Sequence, residues 1–367
     1  MIGQWAAALA SFCVTLLAIC ALRPVAVAVD LVDRPGGHKF HHGTVPIVGG
    51  LAMFLGVVMG MGIVPRAHDV GPEFLAACAI LVTIGLLDDR FDLSPWTRLP
   101  VQISAAILMM VGTDAMVTTL GLLPSGVEVA LHGWTAYAFT VLITIAAINA
   151  FNMLDGMDGL AGATAVISLG GLTYLAWSAG LRSLAAVCLM VAGAVCAFLV
   201  FNVPVRLNRR MRCFMGDAGS TLLGFAIAWL CISVSQGPVH AAAPVTTLWI
   251  VALPLYELVW STGRRVIRGV SPVRPDRNHF HHLLLRAGLG VRGAFIVYVS
   301  MALTLALVGI LLNDSGIKDW QSLSLLAISG VFVVRLMYRA ELLWNLLPQS
   351  LQHAPAPEMV DSPRSVP

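Results

Sequence analysis

The chain has 367 residues, of which 58% are hydrophobic and 11% charged, and its formal net charge is +3. Its mean hydropathy of +0.85 lies far outside the soluble range and excludes a water-soluble enzyme, and no nucleic-acid-binding module is visible. The composition is that of an integral membrane protein whose partner along most of its length is the lipid bilayer.

A bilayer core of about 30 Å takes about 20 helical residues. Eleven apolar stretches qualify as candidates, at 3–22, 45–64, 74–87, 99–112, 134–151, 159–177, 184–201, 217–235, 245–263, 293–312 and 321–338, the third and fourth being short. Transmembrane barrel strands alternate apolar and polar residues, and these stretches do not. The predicted fold is therefore all-α and polytopic, with about eleven transmembrane helices. The first stretch reads as a retained span: no positive charge precedes it, and Ile19 stands where a cleavage box LAIC wants a small residue.

Entering from outside, the chain places 19 of its 22 lysines and arginines on one side, leaving only Arg66, Arg182 and Lys318 on the other. By the positive-inside bias that side is cytoplasmic. The N-terminus is expected to be periplasmic, the C-terminus cytoplasmic, and the location the bacterial inner membrane. Residues 1–344 read as a single membrane domain with cytoplasmic loops at 23–44, 88–98, 152–158, 202–216 and 264–292. Residues 345–367, with APAPE and DSPRSVP, read as a disordered tail. Seven scattered cysteines without a CxxC read as small buried hydrophobes.

With this topology, motifs up to 200 residues apart share one membrane face: KFHHG (39–43), GLLDDRFDLSP (85–95), NAFNMLDGMDGLAG (149–162), FMGDAGS (214–220) and PDRNHFHHLL (275–284). Charged groups at span ends mark a site by default. Asp88 and Asp89 are adjacent carboxylates that need a cation or a proton, which makes them a divalent-metal site or a general base; a solvated helix end offset by Arg90 is the plainer reading. Asp155 and Asp158 share a face if the sixth helix begins near them, as do Asn149 and Asn152 one spacing earlier, and capping of that helix is the plainer reading there. Asp217 opens the eighth stretch in a second glycine-flanked acidic turn, and the glycines let backbone approach a phosphate. His279, His281 and His282 lie beside Arg274 and Arg277. Imidazoles alone suggest zinc, whereas carboxylates, amides and a basic loop suit Mg²⁺ and an anionic diphosphate. Together these residues point to phosphoryl transfer between a soluble phosphorylated donor and a lipid-borne acceptor.

Over about residues 30–300, and most specifically in FMGDAGSTLLGF and PDRNHFHHLLLRAG, the chain resembles the polyprenyl-phosphate N-acetylhexosamine-1-phosphate transferases. Within them it is most similar to the bacterial branch that starts O-antigen and related polysaccharides. The resemblance implies transfer of N-acetylglucosamine 1-phosphate from UDP-N-acetylglucosamine to undecaprenyl phosphate, with UMP released. It implies Mg²⁺, or Mn²⁺ in its place, on Asp217 and Asn152, and catalytic roles for Asp88, Asp89, Asp155, Asp158 and His281. Phe214 would stack on uracil, and Lys39, Asn149, Arg277, His279 and His282 would hold the donor. A homodimer is compatible with this reading. Two features depart from the pattern: Glu257 stands where an aspartate is usual, and His42 has no assigned role. Another UDP-N-acetylhexosamine is the alternative donor. A transporter is the rival class, but the acidic residues gather at one face rather than at mid-membrane.

Overall fold

The computed structural model describes residues 2–34, 44–63, 71–203, 211–237, 239, 241–271 and 279–346, without the side chains of 343–346. Lys39, His42, Arg274 and Arg277 lie outside the described residues, as does the chain from 347 onward.

Each of the eleven apolar stretches becomes helix. They form α1 (Ile2–Ala28), α2 (Gly49–Ile63), α3 (Pro72–Phe91), α4 (Pro95–Thr113), α5 (Trp134–Leu154), α6 (Leu160–Ser178), α7 (Arg182–Asn202), α8 (Gly216–Ser235), the pair α9 (Pro244–Ile250) and α10 (Ala252–Ile267), α12 (Val291–Asp314) and α13 (Asp319–Leu346). A short α11 (Phe280–Arg286) precedes α12. Seven of these, α1, α5 to α8, α12 and α13, are long and apolar enough to cross a bilayer, and the bent pair makes eight if it is one span. This establishes an all-α polytopic membrane protein with fewer full-length spans than the eleven predicted. The shortfall has physical causes. Helix α2 has 15 residues and rises only about 22 Å at 1.5 Å per residue, while α3 carries Glu73 in its first turn and ends in Asp88, Asp89 and Arg90.

The ninth stretch departs most from expectation. It breaks at Val251, where α9 and α10 meet at 80°, so α10 leaves the direction of α9 and carries Glu257 toward the site. Between α4 and α5, residues 114–133 contain a hairpin of β1 (Thr119–Leu122) and β2 (Glu128–Ala130). Gln236 at the end of α8 holds it, accepting the Thr118 and Thr119 N–H groups at 3.0 Å each and donating to the Thr119 carbonyl at 3.0 Å.

Helix α8 is the spine of the molecule, its apolar window 89% buried. Lipid tails are as apolar as leucine, so helices in a membrane associate through close packing of small residues rather than through the hydrophobic effect. At Gly224 a Cβ would stand 2.5 Å from the Ile148 Cα, which sets the closeness of α5 and α8. At Gly85 it would stand 2.3 Å from the Ala218 Cα, which does the same for α3. Replacing Gly224 by valine is expected to force these backbones apart at a cost of at least about 1–3 kcal/mol. A lowered melting temperature in detergent checks this, and an unchanged one would show that the crossing is slack.

Candidate active site

The C-terminal ends of α3 and α5 meet the N-terminal end of α8. Before α8, Phe214 runs extended beside residues 45–47: its N–H donates to the Pro46 carbonyl at 2.9 Å and its carbonyl accepts the Gly49 N–H at 3.0 Å. The chain then turns at Gly216, with φ +70°, a backbone conformation that strains any side chain. A Cβ there would also lie 2.3 Å from Asp89 Oδ2. Gly216→Ala is therefore expected to displace Asp89 and lower both melting temperature and turnover; a variant with wild-type values for both would show that the turn adapts.

Asp89 accepts the Asp217 N–H at 2.8 Å through Oδ1 and the Ala218 N–H at 3.3 Å through Oδ2. These are amides that a helix start leaves without intrahelical partners, so Asp89 caps α8 from α3. Asp88 accepts the Leu93 N–H at 2.7 Å and pairs through Oδ2 with Arg98, from the first turn of α4. The same Arg98 Nη1 donates to Asp217 Oδ2 at 2.8 Å. Asn152, near the end of α5, donates to Asp217 Oδ1 and lies 3.0 Å from the Ser220 hydroxyl. One guanidinium thus bridges two carboxylates whose sequence positions differ by 129.

Past the apolar stretch 74–87, burial and the neighbouring Asp217 push the Asp88 carboxyl up to about 7, and burial pushes Asp89 up to about 7. Asp155, after the last turn of α5, is raised well above the usual range by burial and by Asp217 and Asp89. So many carboxylates in one desolvated place favour a bound cation.

The structure corrects the expected helical pairing of Asp155 and Asp158. Helix α6 begins only at Leu160, after Gly159 at φ +75°, so both aspartates lie on the turn before it. Asp158 pairs with Arg212, whose guanidinium carbon stands 5.2 Å from the Phe214 ring centroid. Asn202 joins the two segments as well, accepting the Gly159 N–H at 2.7 Å and donating to the Cys213 carbonyl at 2.9 Å. Asn149 is not joined to the cluster by a side-chain bond: its amide donates to the Ile145 carbonyl of its own helix at 2.8 Å.

The histidine segment reaches the same region from α11. His281 is completely buried, and its Nε2 would lie 2.9 Å from a Cβ at Gly156, between Asp155 and Asp158. Its ring stacks on His279 at 5.7 Å and meets His282 at 4.3 Å. Burial lowers His279 to about 4 and His282 to about 3. Both rings therefore offer hydrogen bonds rather than positive charge.

Among the described residues no group of three or more carboxylate, imidazole or thiolate side chains encloses a metal position. Two carboxylates nevertheless converge on one cationic nitrogen, with an amide against one of them. That donor set of hard oxygens fits Mg²⁺ with part of its shell from water or phosphate, and does not fit zinc.

The pattern of glycosyl transferase family 4 matches residues 72–235, the stretch from α3 to the end of α8. The undecaprenyl-phosphate alpha-N-acetylglucosaminyl 1-phosphate transferase of Escherichia coli (strain K12) is 39% identical over 315 residues, 86% of this chain and 85% of its own. Its counterpart in Salmonella typhi is 38% identical with the same coverage, and that of Haemophilus influenzae is 36% identical over 83% of this chain and 85% of its own. The chain belongs to glycosyl transferase family 4. The family 4 match contains all six clustered residues, Asp88, Asp89, Asn152, Asp155, Asp158 and Asp217. It also contains Arg98 and Arg212, which sequence reading counted only as positive charges. Nothing local marks either one as a bridge: Arg98 joins Asp88, ten residues before it, to Asp217, 119 residues after it, and Arg212 reaches back 54 residues to Asp158.

Proposed function

We propose that the protein transfers N-acetylglucosamine 1-phosphate from UDP-N-acetylglucosamine to undecaprenyl phosphate, at the cytoplasmic face of the bacterial inner membrane. The observation that carries this reading is the convergence of Asp88 and Asp217, from two helices, on the Arg98 guanidinium, with Asn152 of a third helix donating to Asp217. The identity of 36–39% over most of the chain to transferases of that name supports it.

In this proposed orientation the α3 and α5 C-termini and the α8 N-terminus, which meet at the site, lie at the cytoplasmic face, where the sequence-based topology gathers 19 of the 22 basic residues. There the water-soluble nucleotide sugar meets the phosphate of a lipid at the membrane edge.

In the reaction an oxygen of the acceptor phosphate bonds to the β-phosphorus of the donor. The bond from that phosphorus to the bridging oxygen breaks, and its electron pair leaves on UMP. A phosphate monoester has a second pKa of about 6, so the attacking oxygen is already ionised at pH 7 and needs little help from a base. Asp217 and Asn152, with Asp88 beside them, would hold Mg²⁺, which supplies charge neutralisation for the diphosphate. Asp89 holds the start of α8 in place. Arg212 links the Asp155–Asp158 turn to Phe214, on which the uracil stacks.

Purified protein given a short prenyl phosphate and a panel of UDP-sugars tests the reading. Release of UMP is expected with UDP-N-acetylglucosamine, dependent on both acceptor and Mg²⁺. Preference for another UDP-N-acetylhexosamine would change the sugar and keep the chemistry; release of no UMP from any donor would overturn both.

A further inference from the structure

Glu257 departs from the usual aspartate, and its surroundings give the extra methylene a purpose. It lies on α10, beyond the break at Val251, and is buried. Its Oε1 accepts the Phe280 N–H at 3.0 Å, at the first residue of α11. Its Oε2 accepts the Tyr298 hydroxyl at 2.8 Å, from α12. The Nδ1 atoms of His279 and His281 stand 3.5 and 3.6 Å from the same Oε1. One carboxylate therefore ties the re-aimed half of the ninth stretch to the histidine helix and to the helix after it.

His281 is the telling neighbour. A buried polar nitrogen left without a partner is costly, yet among the described residues neither of its ring nitrogens makes a hydrogen bond. Nδ1 turns toward Glu257, while Nε2 abuts Gly156 in the turn that carries Asp155 and Asp158. When a carboxylate attracts the proton of one imidazole nitrogen, the other is left with its lone pair as an acceptor.

We infer that Glu257 is a positioning residue for the transfer reaction: it orients His281 with Nδ1 toward its own carboxylate and presents Nε2, as a hydrogen-bond acceptor, to a hydroxyl or amide N–H of the bound nucleotide sugar. This rests on the transferase reading above, but it assigns Glu257 a task other than tying helices together, acting on the donor through His281. Nε2 faces the bare backbone of Gly156, and a Cβ there would stand 2.9 Å from that nitrogen and close it off.

A double-mutant cycle separates this role from a structural one. Glu257→Gln keeps an oxygen for the Phe280 N–H and a polar group for Tyr298 while removing the charge that draws the imidazole proton. It is expected to melt close to wild type and to lower kcat/KM for the nucleotide sugar by about tenfold or more, mostly through KM, with partial recovery in Glu257→Asp. Tyr298→Phe, which removes support without charge, should change kcat/KM by less than about threefold. In a His281→Ala background Glu257→Gln should cost almost nothing further, because the residue through which it acts is gone. Additive losses in the cycle, or a Glu257→Gln enzyme with wild-type kinetics, would overturn the inference and leave the transferase reading standing. Nitrogen-15 NMR of histidine-labelled protein decides it without turnover: a His281 signal of the Nδ1–H tautomer in wild type that is lost in Glu257→Gln supports the role, and the same signal in both overturns it. A wild-type protein that released no UMP would defeat the transferase reading, and the tautomer measurement would still decide the role of Glu257.

Discussion

Asp217→Asn is expected to lower UMP release by about 10²–10³-fold, or about 3–4 kcal/mol of transition-state stabilisation, with the amount of folded protein unchanged. The substitution is nearly isosteric, and the Asp217 main-chain carbonyl still accepts the Thr221 hydroxyl at 2.6 Å, so α8 should keep its start. What is lost is the one carboxylate that receives both Asn152 and Arg98. Raising Mg²⁺ should not restore the rate. Recovery to wild-type turnover at high Mg²⁺ would place the cation on other side chains.

The second large effect is expected at Arg98. In the metal-free protein its guanidinium is the shared counter-charge of Asp88 and Asp217, and removing one member of such a group leaves the others repelling in a partly buried place. Arg98 is itself 26% exposed, so the loss should be below the 3–5 kcal/mol of a fully buried pair, at about 1–3 kcal/mol. Arg98→Ala should therefore melt several degrees lower than wild type without divalent cation. Because a cation can replace the missing charge, Mg²⁺ should raise the melting temperature of the variant more than that of wild type. Equal responses of the two proteins to Mg²⁺ would show that Arg98 and the cation do not serve the same carboxylates.

The two effects bear on what a chain of this kind discloses before it folds. Apolar stretches of 14 to 20 residues read correctly as helices because, in a bilayer, backbone hydrogen bonds must be satisfied within the segment. The acidic motifs were legible because carboxylates and glycines at span ends have few other reasons to be there. The break at Val251 was not legible: residues 248–256 around it carry no charge, and Pro254, three residues past the break, sits in the first turn of α10, where proline does not interrupt a helix. The turn at 155–159 was misjudged for a local reason. Spacing alone put Asp155 and Asp158 on one helical face, but Gly159 in the left-handed region delays the helix to Leu160.

Long-range partners were the hardest to foresee. Arg98, in LSPWTRLP, is indistinguishable by sequence from any other inward-facing positive charge, and only the packing of α3, α4 and α8 gives it two carboxylates. Glu257 drew notice as a departure, yet its hold on α11 and Tyr298 depends on the bend that sequence did not foretell. The histidines were found by their clustering, but the lowered pKa values of His279 and His282 follow from burial, which a motif does not disclose.

The central claim is that a phosphate-linked sugar, rather than the sugar alone, passes to the lipid from a site built around Asp217. Donor labelled with ³²P in its β-phosphate tests it most directly when incubated with a short prenyl phosphate and Mg²⁺. The account predicts that the label moves into the lipid fraction while UMP leaves without it. Label released into water as UDP, with an unlabelled glycolipid formed, would contradict it.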